Sequence, residues 1–143
     1  KADLDAFAAA PQLEITSIAC PLFVEFVERG ETSGEAITKV AREYLKPVMD
    51  ADVDTLVLGC THYPLLTGVI SYVMGNNVSL VSSVEETAKD LYRTLVENSL
   101  LRAPSSTPAT HRFLATGDSA AFEVLARRFL GPEVGSVQHI DHL

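Results

Sequence analysis

The run Thr55-Leu56-Val57-Leu58, cut off by Gly59 and closed five residues later by Pro64, constrains the fold of this chain more than any other stretch. Four β-branched and aliphatic residues in succession read as a strand buried on both faces of a parallel sheet. Gly59 frees the backbone to turn, and Pro64 disfavours helix at the residue before it, so Cys60 to Tyr63 should form a tight loop leaving the strand. Open α/β sheets bind ligands just past the carboxyl ends of their strands. This loop places a thiol, a hydroxyl, an imidazole and a phenol there.

The rest of the chain alternates in the same manner. Residues 1–10 read as the tail of a helix that Pro11 stops, and residues 14–19 as a first strand with Cys20 and Pro21 at its end. Thr32 with Glu35 fits a capping box that opens a helix over residues 33–50, with Ile37, Val40, Ala41, Tyr44, Leu45 and Val48 on its apolar face. Pro47 should kink or shorten it. Residues 65–74 continue as a helix stopped by Gly75 and Asn76, and residues 77–81 form a strand. Two overlapping Ser-x-x-Glu caps at Ser82 and Ser83 precede a helix over 87–101, with Leu91, Leu95 and Val96 inward. A polar linker with two prolines, 103–110, leads to a strand over 112–116, a turn at Gly117-Asp118-Ser119, a helix over 120–130 and a last strand within 134–140. Strands alternating with helices predict parallel βαβ units and an α/β layered fold.

Composition narrows the function. A length of 143 residues with 47% hydrophobic content fits one globular domain. A net charge of -8 argues against a nucleic-acid partner, whose phosphates demand a basic patch. Every apolar run is too short for a membrane helix, so no membrane partner is expected. Two cysteines without a spacing pattern indicate a reducing compartment, with the cytoplasm as default. Cys60-x-His62 offers only two soft ligands, and His139 with His142 lacks a further ligand pair, so no metal is expected. Lys1, Lys39, Lys46 and Lys89 all fall in predicted helices, which argues against a pyridoxal phosphate site.

The two thiols differ in setting. Cys60 has an imidazole two residues away and a loop with free backbone amides, conditions that favour thiolate. Its plainer reading is a small core hydrophobe ending a strand. Cys20 is followed by Pro21, which lacks an amide donor, and by the apolar run 22–27, broken only by Glu25; it reads as a structural thiol. Glu28, beside Arg29 and Gly30, reads locally as a solvated carboxylate.

At these residues the chain resembles a known family. Leu58-Gly59-Cys60-Thr61-His62-Tyr63-Pro64-Leu65 is similar to the signature around the second catalytic cysteine of glutamate racemases, in the aspartate/glutamate racemase family. Ala19-Cys20-Pro21-Leu22-Phe23-Val24 with Val27-Glu28 resembles the other motif of the family's second half, apart from Glu25, where proline is common. Glu85-Glu86-Thr87-Ala88 and Thr116-Gly117-Asp118 resemble later segments, and the His62-Tyr63 pair favours glutamate over aspartate.

The family's first-half motifs, an Asp-Ser-Gly turn and an Asn-Thr pair beside the first catalytic cysteine, do not occur in the sequence. The expectation is therefore the C-terminal half of a two-lobed pseudosymmetric racemase with its first lobe mostly missing: residues 1–81 the second lobe, residues 82–143 a segment completing the first.

The resemblance implies cofactor-independent interconversion of L- and D-glutamate by two opposed thiols, supplying D-glutamate for peptidoglycan and hence for cell-wall biogenesis and cell shape. Cys60 would be the thiol of this lobe, facing the α-proton of L-glutamate. His62 would assist its proton traffic, Glu28 would orient or charge His62, and Thr61 with His62 would hold a substrate carboxylate. The missing N-terminal lobe is the implied partner, a homodimer is possible, and this half alone is expected to be inactive. Two alternatives stay open: an amidase using Cys60 as nucleophile with His62 as base, and a noncatalytic amino-acid-binding module.

Overall fold

A computed structural model describes residues 13–142, so the helix expected over residues 1–10 lies outside the described residues. Residues 13–20 carry no regular secondary structure, and the strand expected at 14–19 does not form. A strand needs a ladder partner for its backbone groups. Among the described residues none pairs with this segment, and Leu13 and Ile15 stand exposed.

Cys20 instead caps a helix, α1 (Pro21–Glu28), which the nearly continuous apolar look of residues 22–27 conceals. Pro21 occupies its first turn, where a missing N–H costs nothing, and Phe23, Phe26 and Val27 fall three and four apart on its buried face. Helix α2 (Glu35–Asp50) follows. Its N-cap is Gly34, so the predicted Thr32–Glu35 box does not form; Thr38 Oγ1 donates to the Gly34 carbonyl at 2.7 Å. The helix runs through Pro47 to its predicted end, because a proline this close to the terminus disturbs only the last turn.

Strand β1 (Thr55–Leu58) pairs in parallel with β2 (Ser79–Ser82), Thr55 opposite Ser79 and Leu58 opposite Ser82. The crossover between them is a 3-10 turn (Tyr63–Leu66) and helix α3 (Thr67–Met74), ended by Gly75 at φ +80°. Helix α4 (Ser83–Glu97) leaves β2 directly, and the Ser82 hydroxyl accepts from the Glu85 amide at 3.4 Å as one of the predicted caps. A second parallel pair, β3 (Phe113–Ala115) with β4 (Val137–His139), brackets helix α5 (Ser119–Leu130), whose N-cap Asp118 accepts from the Ala120 and Ala121 amides. The architecture is the expected α/β class with parallel strands, built as two two-stranded sheets.

Burial is uneven between them. The core joins Phe23, Ile37, Ala41, Leu45, Leu66 and Ile70 with one face of β1, where Leu58 is buried and Leu56 packs against the cluster. The other face of β1 is open: Val57 is 55% exposed, so the expectation of a strand covered on both sides is corrected. Helix α4 has no buried residue, and Leu91 and Val96, expected inward, are exposed because no described element covers them. Around the second sheet and its helix only Ala126 and Val134 are buried. No described helix is long and apolar enough to cross a membrane.

Candidate active site

Cys60 lies two residues past the end of β1, in the turn before the 3-10 segment. The turn is tighter than the sequence indicates, since Tyr63 enters 3-10 geometry despite preceding Pro64. It folds the chain back on itself, and the His62 amide donates to Cys60 Sγ at 3.4 Å, within the longer reach of sulfur. A backbone donor aimed at sulfur is placed to stabilise negative charge there. The thiol is half-buried and free, open enough to meet a ligand.

His62 is fixed from both sides of its ring. Thr61 Oγ1 lies 3.1 Å from Nδ1, and Glu28 Oε1 lies 3.6 Å from Nε2. The second distance exceeds a hydrogen bond but leaves the carboxylate facing the far nitrogen of the ring. Glu28 is the last residue of α1, so the helix missing from the sequence reading is what carries this carboxylate to the Cys60 turn. The structure therefore brings together Cys60, Thr61, His62 and Glu28. Thr61 also edges an open groove of about 370 Å³ with Ser83, Val84, Thr87, Ala88 and Leu91.

Cys20 is excluded from this chemistry. It is 4% exposed, and burial pushes its thiol from 9.0 up to about 11, so it stays protonated.

Two further residues shape the turn through bonds that the sequence did not reveal. The Ser83 hydroxyl donates to the Leu58 carbonyl at 2.8 Å, tying α4 to the end of β1 beside Cys60. Tyr63 accepts a hydrogen bond from the Cys20 amide at 3.1 Å, across 43 positions of sequence. Burial raises its phenol pKa, which keeps it neutral. Ser83 was visible as a helix cap, but nothing local announces a bond to a strand formed 25 residues earlier.

Among the described residues no three His, Cys, Asp or Glu side chains gather as metal ligands. His139 instead meets the Gly117 carbonyl at 2.9 Å and Asp141 at 3.5 Å.

No protein-family model matches the chain. Curated relatives do: a glutamate racemase of Beutenbergia cavernae is 64% identical over 141 residues, covering 93% of this chain and 48% of the relative. One of Parafrankia sp. is 61% identical over 133 residues with the same coverage, and one of Mycobacterium tuberculosis 60% over 136 residues, covering 95% and 50%. In structure, the chain superposes on a Bacillus anthracis glutamate racemase with a TM-score of 0.84 at 37% identity, covering 97% of this chain and 51% of that one. A Francisella tularensis glutamate racemase in complex with D-glutamate gives 0.83 at 33% identity, covering 96% and 51%.

The relatives and structures it matches are amino-acid racemases, isomerases by class. Nearly the whole of this chain is similar to glutamate racemases in sequence and in fold. It spans about half the length of the curated relatives it matches.

Proposed function

We propose that this chain is the C-terminal half of a glutamate racemase and supplies one of its two acid/base thiols, Cys60. As thiolate, Cys60 Sγ takes the α-proton from one face of glutamate, leaving the electron pair delocalised into the α-carboxylate; a second thiol returns a proton to the opposite face. The reverse reaction exchanges their roles. The His62 amide at 3.4 Å from Sγ carries this reading, because it supports the thiolate without a metal or cofactor. His62, with Glu28 at its far nitrogen, relays the proton, and the Thr61 hydroxyl with the loop amides holds a substrate carboxylate.

Cys20 cannot be the second thiol, since burial holds it protonated and away from solvent. With two cysteines in the sequence, the other thiol comes from the complementary N-terminal half. Residues 1–81 then form one lobe, and residues 82–143 complete the other against that half. This division supports itself on the bare face of Val57 and α4 and on the sparse burial of the second sheet. D-glutamate made this way serves cytoplasmic peptidoglycan synthesis, and the enzyme can act as a homodimer.

The test is exchange of the Cα proton of L- and D-glutamate in D2O, followed by NMR, with the intact enzyme and its Cys60→Ser variant. Exchange by the intact enzyme that is lost in the variant for at least one enantiomer is expected. A folded enzyme that exchanges neither enantiomer, or that accumulates an acyl group on Cys60, would overturn the proposal.

A further inference from the structure

Helix α1 is eight residues long and lacks a side-chain cap, yet it holds the carboxylate that faces His62. Its amino-terminal amides need partners from elsewhere. Two tyrosine hydroxyls supply them. Tyr63, from the Cys60 turn, accepts from the Cys20 amide at 3.1 Å, and Tyr44, from α2, lies 3.4 Å from the Leu22 amide. Between the two phenols stands Phe23, edge-on to both rings with centroids 5.5 Å away in each case.

The same turn thus grips α1 at both ends. His62 meets Glu28 at the carboxyl end, and the next residue, Tyr63, meets Cys20 at the amino end. A helix held at one end by a hydrogen bond of fixed length has little freedom to slide along its axis. The separation of Glu28 from His62 is then set by the bond at the other end.

We infer that Tyr63 is a positioning residue of this site: its hydroxyl, bonded to the Cys20 amide, fixes the register of α1 against the Cys60 turn and so holds Glu28 at His62. In this geometry it is the backbone amide of Cys20, not its buried thiol, that is used. The inference rests on the racemase reading proposed above and adds to it a residue that acts through the placement of another.

The experiment is a double-mutant cycle in the intact enzyme with Tyr63→Phe and Glu28→Gln, measuring kcat and KM in both directions. Tyr63→Phe keeps the ring and its edge-to-face packing and removes only the hydroxyl. It should lower kcat roughly tenfold with KM changed by less than about twofold, as a small misplacement of a catalytic group does. In the Glu28→Gln background the same change should cost almost nothing, because the group it positions is already lost. Phe23→Leu, which loosens the packing but keeps the hydroxyl, should lower the melting temperature and leave kcat within about twofold of the unsubstituted enzyme.

Three results would overturn the inference: an unchanged kcat in Tyr63→Phe, losses that multiply in the double variant, or a kcat loss in Phe23→Leu equal to that in Tyr63→Phe. An intact enzyme without any Cα exchange would instead remove the racemase reading, and this inference with it.

Discussion

The turns at Cys20 and Cys60 start from the same ingredients. Each places a thiol where an extended segment meets a helical one, with a proline soon after: Pro21 at α1, Pro64 in the 3-10 turn. At Cys20 the helix folds its apolar face over the thiol, and the residue's own amide is spent on Tyr63. At Cys60 the turn leaves the sulfur only half-buried and points the His62 amide at it. What separates an inert thiol from a chemically available one is thus burial and where the adjacent amides point, not the residue or its distance from a proline. The difference also divides labour. One turn supplies a rigid support, the other an accessible sulfur.

Exchanging the insults should break this comparison if it is wrong. Cys60→Ala is expected to lower kcat by a thousandfold or more, in the range of roughly 10² to 10⁴ that positioned proton transfer contributes, with little loss of stability. Cys20→Ala should do the opposite. It should leave kcat within about twofold and cost on the order of 1–2 kcal/mol of stability from the small cavity. Steady-state kinetics and urea melts of both variants of the intact enzyme decide the matter. A folded Cys20→Ala enzyme with kcat as low as that of Cys60→Ala would erase the distinction.

An effect on stability alone follows from the titration of Cys20. Its folded pKa is raised from 9.0 to about 11 by burial, so the unfolded chain loses that proton first. The contribution is therefore fully present below pH 9 and is lost as pH rises through about 11, a total on the order of 2–3 kcal/mol at 1.36 kcal/mol per pH unit. Tyr63, also raised by burial, adds a slope of the same sign. Subtracting the stability-versus-pH curve of Cys20→Ala from that of the unsubstituted enzyme isolates the cysteine. A difference curve that is flat between pH 9 and 11 would mean that the Cys20 thiol is not buried in solution.

The Cys60 side of the comparison was legible in sequence because its signals are local: an aliphatic run, a glycine, a proline and three polar side chains within ten residues. The β1–α3–β2 order, the Ser82 cap and the Asp118 turn were legible for the same reason. Helix α1 was not. Its apolar residues are nearly continuous, so helical periodicity is hidden, and it is held by tyrosines contributed from Tyr44 and Tyr63 rather than by a cap of its own. The Thr32–Glu35 pair misled in the opposite way, offering a local cap that Gly34 displaces at φ +103°, a conformation in which glycine is unstrained. The covering of β1 and α4 was misjudged because an apolar face records that something packs on it, not whether the same chain provides it. Val57, Leu91 and Val96 are bare here for that reason.

The finest probe of the comparison is Ser83, which touches the Cys60 turn and has no counterpart at Cys20. Its hydroxyl donates to the Leu58 carbonyl at 2.8 Å and lies 3.5 Å from that of Cys60, so with one hydrogen to give, the first contact is the bond and the second sits at its margin. Ser83→Ala removes the donor while keeping a good helix former in the first turn of α4. The lost bond is worth about 1 kcal/mol. Because it anchors the strand end from which Cys60 projects, kcat should fall by a few-fold along with stability. Ser83→Thr, which restores a hydroxyl at the same atom, should recover most of both. Measured against Cys20→Ala, whose cost falls on stability alone, a Ser83→Ala variant that loses stability but no activity would show that the Cys60 turn holds its shape without α4, and that the support for the reactive thiol comes entirely from the α1 side.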